Sequence, residues 1–168
     1  MITQTPSEDE QNIAFRRMKH FIHSELESTI FIDREDVDQC RRFVEAGLNI
    51  TTLPGAPGDQ LVGIMIFHKI NAIMEGRIAV VEIEVRAEDG VIYLHSENET
   101  SVGYQQPDWW TTADLTHSDQ LTVDENIVSL QSGATWRDYD LAWPESETPE
   151  ESGNTIVFAN FKSSDETK

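Results

Sequence analysis

Val81-Glu82-Ile83-Glu84-Val85-Arg86 alternates apolar and charged residues, Asp89-Gly90 follows, and Val91-Ile92-Tyr93-Leu94-His95 comes next. Successive side chains on a strand point to opposite faces. This register therefore gives one buried and one wet face, the pattern of an antiparallel sheet. Asp-Gly between two such runs is a hairpin turn, so the stretch predicts two antiparallel strands.

Upstream, the period changes. Ser7-Glu8-Asp9-Glu10 has the Ser-x-x-Glu form of a capping box, and its acids suit the positive end of a helix dipole. Ile13, Ala14, Met18, Phe21, Ile22 and Leu26 then recur at helical spacing, predicting an amphipathic helix over 7–27. Thr29-Ile30-Phe31-Ile32 reads as a strand. Asp33 offers an N-cap, with Asp36 at the capping-box offset. Val37, Cys40, Phe43 and Val44 carry a narrow apolar stripe to Gly47, a C′ residue, so 34–46 is a second helix. A strand over 48–53 completes a β-α-β unit, right-handed if its strands are parallel. After the turn Pro54-Gly55-Ala56-Pro57-Gly58, Asp59 stands at an N-cap position before Leu61–Met74, which is apolar nearly all round. A helix of that kind is buried on most sides. A strand is the alternative, but the length and the stop at Gly76 favour a helix.

Downstream, 98–121 lacks periodicity and reads as a long loop with room for one helical turn. Asn126–Leu130, Ala134–Leu141 and Thr155–Phe161 are candidate strands. The resulting expectation is a single α+β domain over 7–161, with N-terminal helices and a mixed, largely antiparallel sheet. Residues 1–6 form a flexible N-terminus, 144–153 an acidic flexible loop and 162–168 a disordered tail.

The chain has 168 residues and a net charge of −19, from 31 acidic and 12 basic side chains. Residues 98–168 hold 14 acids against Arg137, Lys162 and Lys168, so they carry −11 of the −19. Such a field repels free nucleic acid and anionic membrane surfaces. With one cysteine, Cys40, no internal disulfide or Cys-based zinc site is available. The N-terminus has no basic-then-apolar leader, and no apolar run is long enough to span a bilayer. The expected setting is cytoplasmic.

No complete catalytic motif is present. His20 and His23 share a helix face but lack a third ligand and the His-Glu-x-x-His spacing. His95-Ser96-Glu97 lacks the Pro-Cys-x-x-Cys partner of zinc deaminases. Cys40 falls on the apolar stripe and reads as a packed thiol. Residues 54–59 lack the Gly-Lys-Ser/Thr of a phosphate loop, and their prolines remove backbone donors. The pairs Glu82/Glu84 and Asp138/Asp140 read as solvated strand faces that could at most hold Mg²⁺ or Ca²⁺ weakly. No cofactor is implied.

The unusual feature is aromatic. Asp108-Trp109-Trp110 sits in a polar loop, where the two rings either cap the core or offer one face to a partner, with the edge to core capping. Trp136 lies beside Asp138 and Asp140. The candidate partner-binding set is therefore Asp108, Trp109, Trp110, Asp114, Asp119, Trp136, Asp138 and Asp140. The expected function is non-enzymatic: an acidic binding or inhibitory factor for a basic protein, in its specific form a mimic of DNA or RNA seated in a basic groove. A structural subunit of a homo-oligomeric assembly is the alternative, and a metal-dependent enzyme using clustered carboxylates the second. Compact size, acidity and absence of motifs resemble the accessory proteins of bacteriophages and mobile elements in style, with no residue match.

Overall fold

The computed structural model describes residues 1–88, 90–95, 108–115 and 134–144. The element order is β1 (Ile2–Thr3), α1 (Glu8–His20) continuing as a π-turn (Phe21–Leu26), β2 (Ile30–Asp33), α2 (Val37–Glu45), β3 (Ile50–Leu53), α3 (Asp59–Met74), β4 (Ile78–Ala79), β5 (Glu82–Ala87), β6 (Gly90–His95) and a 3-10 turn (Trp109–Thr111). The architecture is α+β in one domain, as the periodicities predict.

The sheet is not a single layer among the described residues. It consists of three two-stranded ladders: β1–β4 and β5–β6, both antiparallel, and β2–β3, parallel. The predicted hairpin is present, with Glu84 facing Tyr93 and Val85 facing Ile92, but Gly90, read from the sequence as a turn residue, pairs with Ala87 and begins β6. The parallel pairing of Ile30 with Ile50 through Asp33 with Leu53 is the expected β-α-β unit. Ile2 and Thr3, assigned by sequence to a flexible N-terminus, pair with Ala79 and Ile78.

Local chemistry sets the helix ends. Ser7 accepts from the Glu10 amide and caps α1. The helix then widens, and the Glu27 amide reaches Ile22 O, five residues back, at 2.9 Å. Helix α2 is capped by Asp36 rather than Asp33: Asp36 accepts from the Gln39 amide, whereas Asp33 spends its carboxylate on Glu35 N. At its far end Gly47 takes φ +73°, and Leu48 N bonds Phe43 O while Gly47 N bonds Val44 O. These two bonds make a Schellman motif. Gly58, not Asp59, caps α3.

Helix α3 is the centre of the core. Leu61, Ile64, Met65, Phe67, Ile70, Ile73 and Met74 are buried on it, against Ala14 and Phe21 of the first helix and Leu53 of β3. Each such side chain contributes roughly 1.5–3 kcal/mol on burial. Trp109, Trp110, Leu115, Trp136 and Leu141 close the same core from the C-terminal part of the chain.

One strand expectation is corrected. Residues 134–141 hold no strand; 136–140 form consecutive turns, with Asp138 N bonded to Thr135 O and Asp140 N to Arg137 O. Asp140 sits at φ +56°, a left-handed conformation that Asp tolerates better than most residues and that no strand admits. The candidate strands Asn126–Leu130 and Thr155–Phe161, most of loop 144–153 and the tail 162–168 lie outside the described residues.

Candidate functional site

Two short segments fold back over the N-terminal helices, and each closes on a buried cation. The first, 108–115, begins with Asp108, whose Oδ1 accepts from Trp109 N at 2.8 Å and whose Oδ1 and Oδ2 both accept from Arg34 Nη2, at 2.9 and 2.7 Å. Trp109 and Trp110 meet edge to face, centroids 5.8 Å apart. Both are buried, and the Trp109 indole donates to Thr52 O at 3.2 Å. Beneath them lies Lys69, 1% exposed on α3. Its ammonium donates to three backbone carbonyls: Trp109 O at 3.1 Å, Thr112 O at 3.0 Å and Asp114 O at 2.6 Å. Three donors meet three acceptors, so the group is fully satisfied. Burial nonetheless lowers its pKa to about 8, against the opposing charges of Asp114 and Glu25. Glu25, on the π-turn, is shifted upward by burial, with Lys69 opposing.

The second segment, 134–144, closes on Arg17. The guanidinium is 2% exposed; Nε donates to Leu141 O at 2.7 Å, and Nη1 donates to Ile73 O at 3.1 Å and to Glu75 Oε1 at 2.7 Å. It lies 3.9 Å from the Trp143 ring centroid and 4.9 Å from that of Trp136, within cation–π range. Arg77 approaches Trp143 as well, at 4.2 Å. Burial depresses the Arg17 pKa while Glu75 supports the charge. Glu75 itself occupies a left-handed position, φ +46°, at the end of α3. Glycine would fit there without strain, but only a long carboxylate reaches Arg17. The two segments are tied together where the Trp136 indole donates to Ala113 O at 2.6 Å.

The eight sequence-derived positions therefore divide. Trp109, Trp110 and Trp136 are core residues, and Asp108 is spent on Arg34. The rings face inward because the surrounding loop is too polar to complete the core without them. Asp114, Asp138 and Asp140 are exposed. Asp138 caps its own turn through Thr135 N and Oγ1, and these bonds hold its pKa down. Asp140 lies 4.0 Å from Arg16. Asp119 falls outside the described residues. The pairing of Asp138 with Asp140 on a strand face is replaced by a turn that sends them to different neighbours.

Sequence reasoning did not select Arg17, Arg34, Lys69 or Glu75. The available signal was a charge inside an apolar period: Lys69 interrupts the run 61–74, and Arg17 falls on the α1 stripe between Ala14 and Met18.

Chemistry elsewhere is sparse. His20 packs against Tyr139, centroids 4.3 Å apart, and its pKa is lowered by burial; His23 pairs with Glu27 at 3.1 Å. The two histidines thus serve different neighbours rather than one metal. Cys40 is fully buried, with a thiol shifted upward by burial, as a packed cysteine should be. Among the described residues no group of three or more His, Cys, Asp or Glu is placed to hold a metal, and no helix is long and apolar enough to cross a membrane. An open cleft of about 460 Å³ lies between α1 and residues 140–144, lined by Asp9, Asn12, Ile13, Arg16, Asp140, Ala142 and Pro144. It contains opposite charges but no His, Cys or Ser. No family model, curated protein or solved structure shows a significant match to the chain.

Proposed function

We propose that the protein is a non-enzymatic acidic binding factor whose partner is a basic protein surface, and that its specific form is a mimic of nucleic acid seated in a basic groove. The supporting observation is where the cations go. Of 12 basic residues, Arg17 and Lys69 are buried, while Arg34 and Arg77 keep only 33% and 27% of their side chains exposed and pair with Asp108, Glu10 and Glu75. A third of the positive charge is thus used inside the fold. Glu8, Asp9, Glu35, Asp36, Asp38, Asp59, Glu82, Asp114, Asp138 and Asp140 stay exposed. The exposed cations among the described residues are Arg16, Lys19, Arg41, Arg42, Arg86 and Arg137, fewer than the exposed carboxylates. Such a surface steers association with positive grooves.

Self-assembly through the apolar segment 61–74 has less support, because that segment fills the chain's own core.

The test is capture from nuclease-treated lysate of the native host, with release along a salt gradient. A basic protein released at moderate salt is the expected result, since screening weakens exposed ionic contacts. Binding that is equally strong at low and high salt overturns the proposal.

A further inference from the structure

Residues 108–115 lie on α3 as a strap. Its apolar side chains, Trp109, Trp110 and Leu115, are buried, and its polar attachments include Asp108 on Arg34, the Trp109 indole on Thr52 O, three carbonyls on Lys69, and Ala113 O, which accepts from the Trp136 indole of the second segment. The ammonium is held by neutral carbonyls, and among the described residues no carboxylate forms an ion pair with it. The charge has left water for carbonyl dipoles and the Trp109 ring, whose centroid is 5.5 Å away, with Asp114 and Glu25 acting on it without a contact; its desolvation outweighs their support and opposes closure of the strap.

We infer that the strap is a latch that opens and recloses on α3 as a unit, with Lys69 as its pin, and that opening exposes Trp109 and Trp110. Its use rests on the binding reading above; the opening itself belongs to the isolated chain. When the strap lifts, the two rings lose their cover but the ammonium regains water. The opening free energy is therefore smaller than the buried rings alone would give. Local opening of this kind is how proteins expose binding segments without global unfolding.

Proton linkage makes the latch measurable. With the strap closed Lys69 holds its proton up to about pH 8; once solvated it holds it to its ordinary value of 10.5. Between these values the open form binds more protons, so closure tightens as pH rises. The charged groups facing Lys69 are Asp114 on the strap and Glu25 on the π-turn. Asp108 is engaged by Arg34, and Arg17 of α1 by Glu75. On the hairpin Glu82, Glu84 and Arg86 occupy the exposed face of β5, and His68 is the titratable neighbour on α3 itself. From pH 7.0 to 9.5 the opening constant should fall roughly 30-fold by this linkage.

Amide hydrogen exchange on the full chain, corrected for the intrinsic pH dependence of exchange and referenced to α3, reads it directly. The expected result is that strap amides exchange faster than α3 amides at pH 7.0 and gain roughly 30-fold in protection by pH 9.5. In Lys69→Met the strap should lose protection at every pH, because three carbonyls are orphaned, and the pH-dependent gain should vanish. Arg34→Ala loosens the other end, so protection should fall while the gain with pH remains. Strap exchange in step with α3, or an identical pH gain in Lys69→Met, overturns the latch. Should Lys69→Met not fold, a missing gain in both the native chain and Arg34→Ala overturns it too. A latch that behaves as described while no basic protein is captured leaves the binding proposal alone refuted.

Discussion

Lys69 and Arg17 are both buried cations that fasten a C-terminal segment to the helices, yet they are held in different ways. Arg17 divides its fork among Leu141 O, Ile73 O and the Glu75 carboxylate, and lies against two indoles. Its charge is neutralised where it sits. Lys69 is a point donor with three carbonyls and no contacting counter-ion among the described residues. A planar guanidinium serves several directions and stacks on rings, whereas an ammonium remains strongly hydrated and shifts its pKa when water is removed. The comparison makes 134–144 the tighter closure and 108–115 the looser one.

The largest effect should come from the tighter side. Arg17→Ala strands the Leu141 and Ile73 carbonyls and removes a buried guanidinium packed on two indoles, while Glu75 keeps only Arg77, so urea denaturation should show a loss of about 3–5 kcal/mol. Arg17→Lys should recover less than half of that, because one ammonium cannot reproduce the fork. Full recovery would mean charge alone matters and would erase the distinction. Lys69→Met should lose less, about 2 kcal/mol, since orphaned carbonyls are partly offset by relief of the buried charge. A loss as large as that of Arg17→Ala breaks the comparison from the other side.

The smallest effect sharpens it. Glu75→Ala loses the ion pair and keeps the left-handed strain, so it should lose about 2 kcal/mol. Glu75→Gly loses the same pair but removes the strain, and should be about 1 kcal/mol more stable than Glu75→Ala. Equal stabilities for the two would show that φ at position 75 carries no strain.

Particular residues show what was legible before folding. The alternation at 81–86 gave the strand and its two faces, because a period of two leaves no second choice of face, but it did not give the register: Gly90, read as a turn residue, pairs with Ala87. Ser7 and Gly47 gave helix ends, because capping is a local hydrogen-bond problem. Asp33 and Asp36 show the limit of that argument: both can cap, and the one selected depends on where β2 stops. Ala134–Leu141 failed as a strand because Trp136 and Leu141 are apolar for a reason other than alternation, namely that both fill the core from successive turns.

The candidate site was less legible than the fold. Trp109, Trp110 and Trp136 stood out by type, and their chemistry suits either a partner or a core. Burial decided that, and burial depends on residues far along the chain. By itself the sequence determined the acidity, the helical and strand periods, and the absence of a complete catalytic motif. These follow from composition and from neighbours a few positions apart. Only the tertiary structure decided that Arg17 and Lys69 would be buried, that Asp108 would meet Arg34, and that the tryptophans would face inward. Those pairings span 56 and 124 residues for Arg17 and 40 to 45 for Lys69, distances over which no local period carries information about which polar group will find which partner.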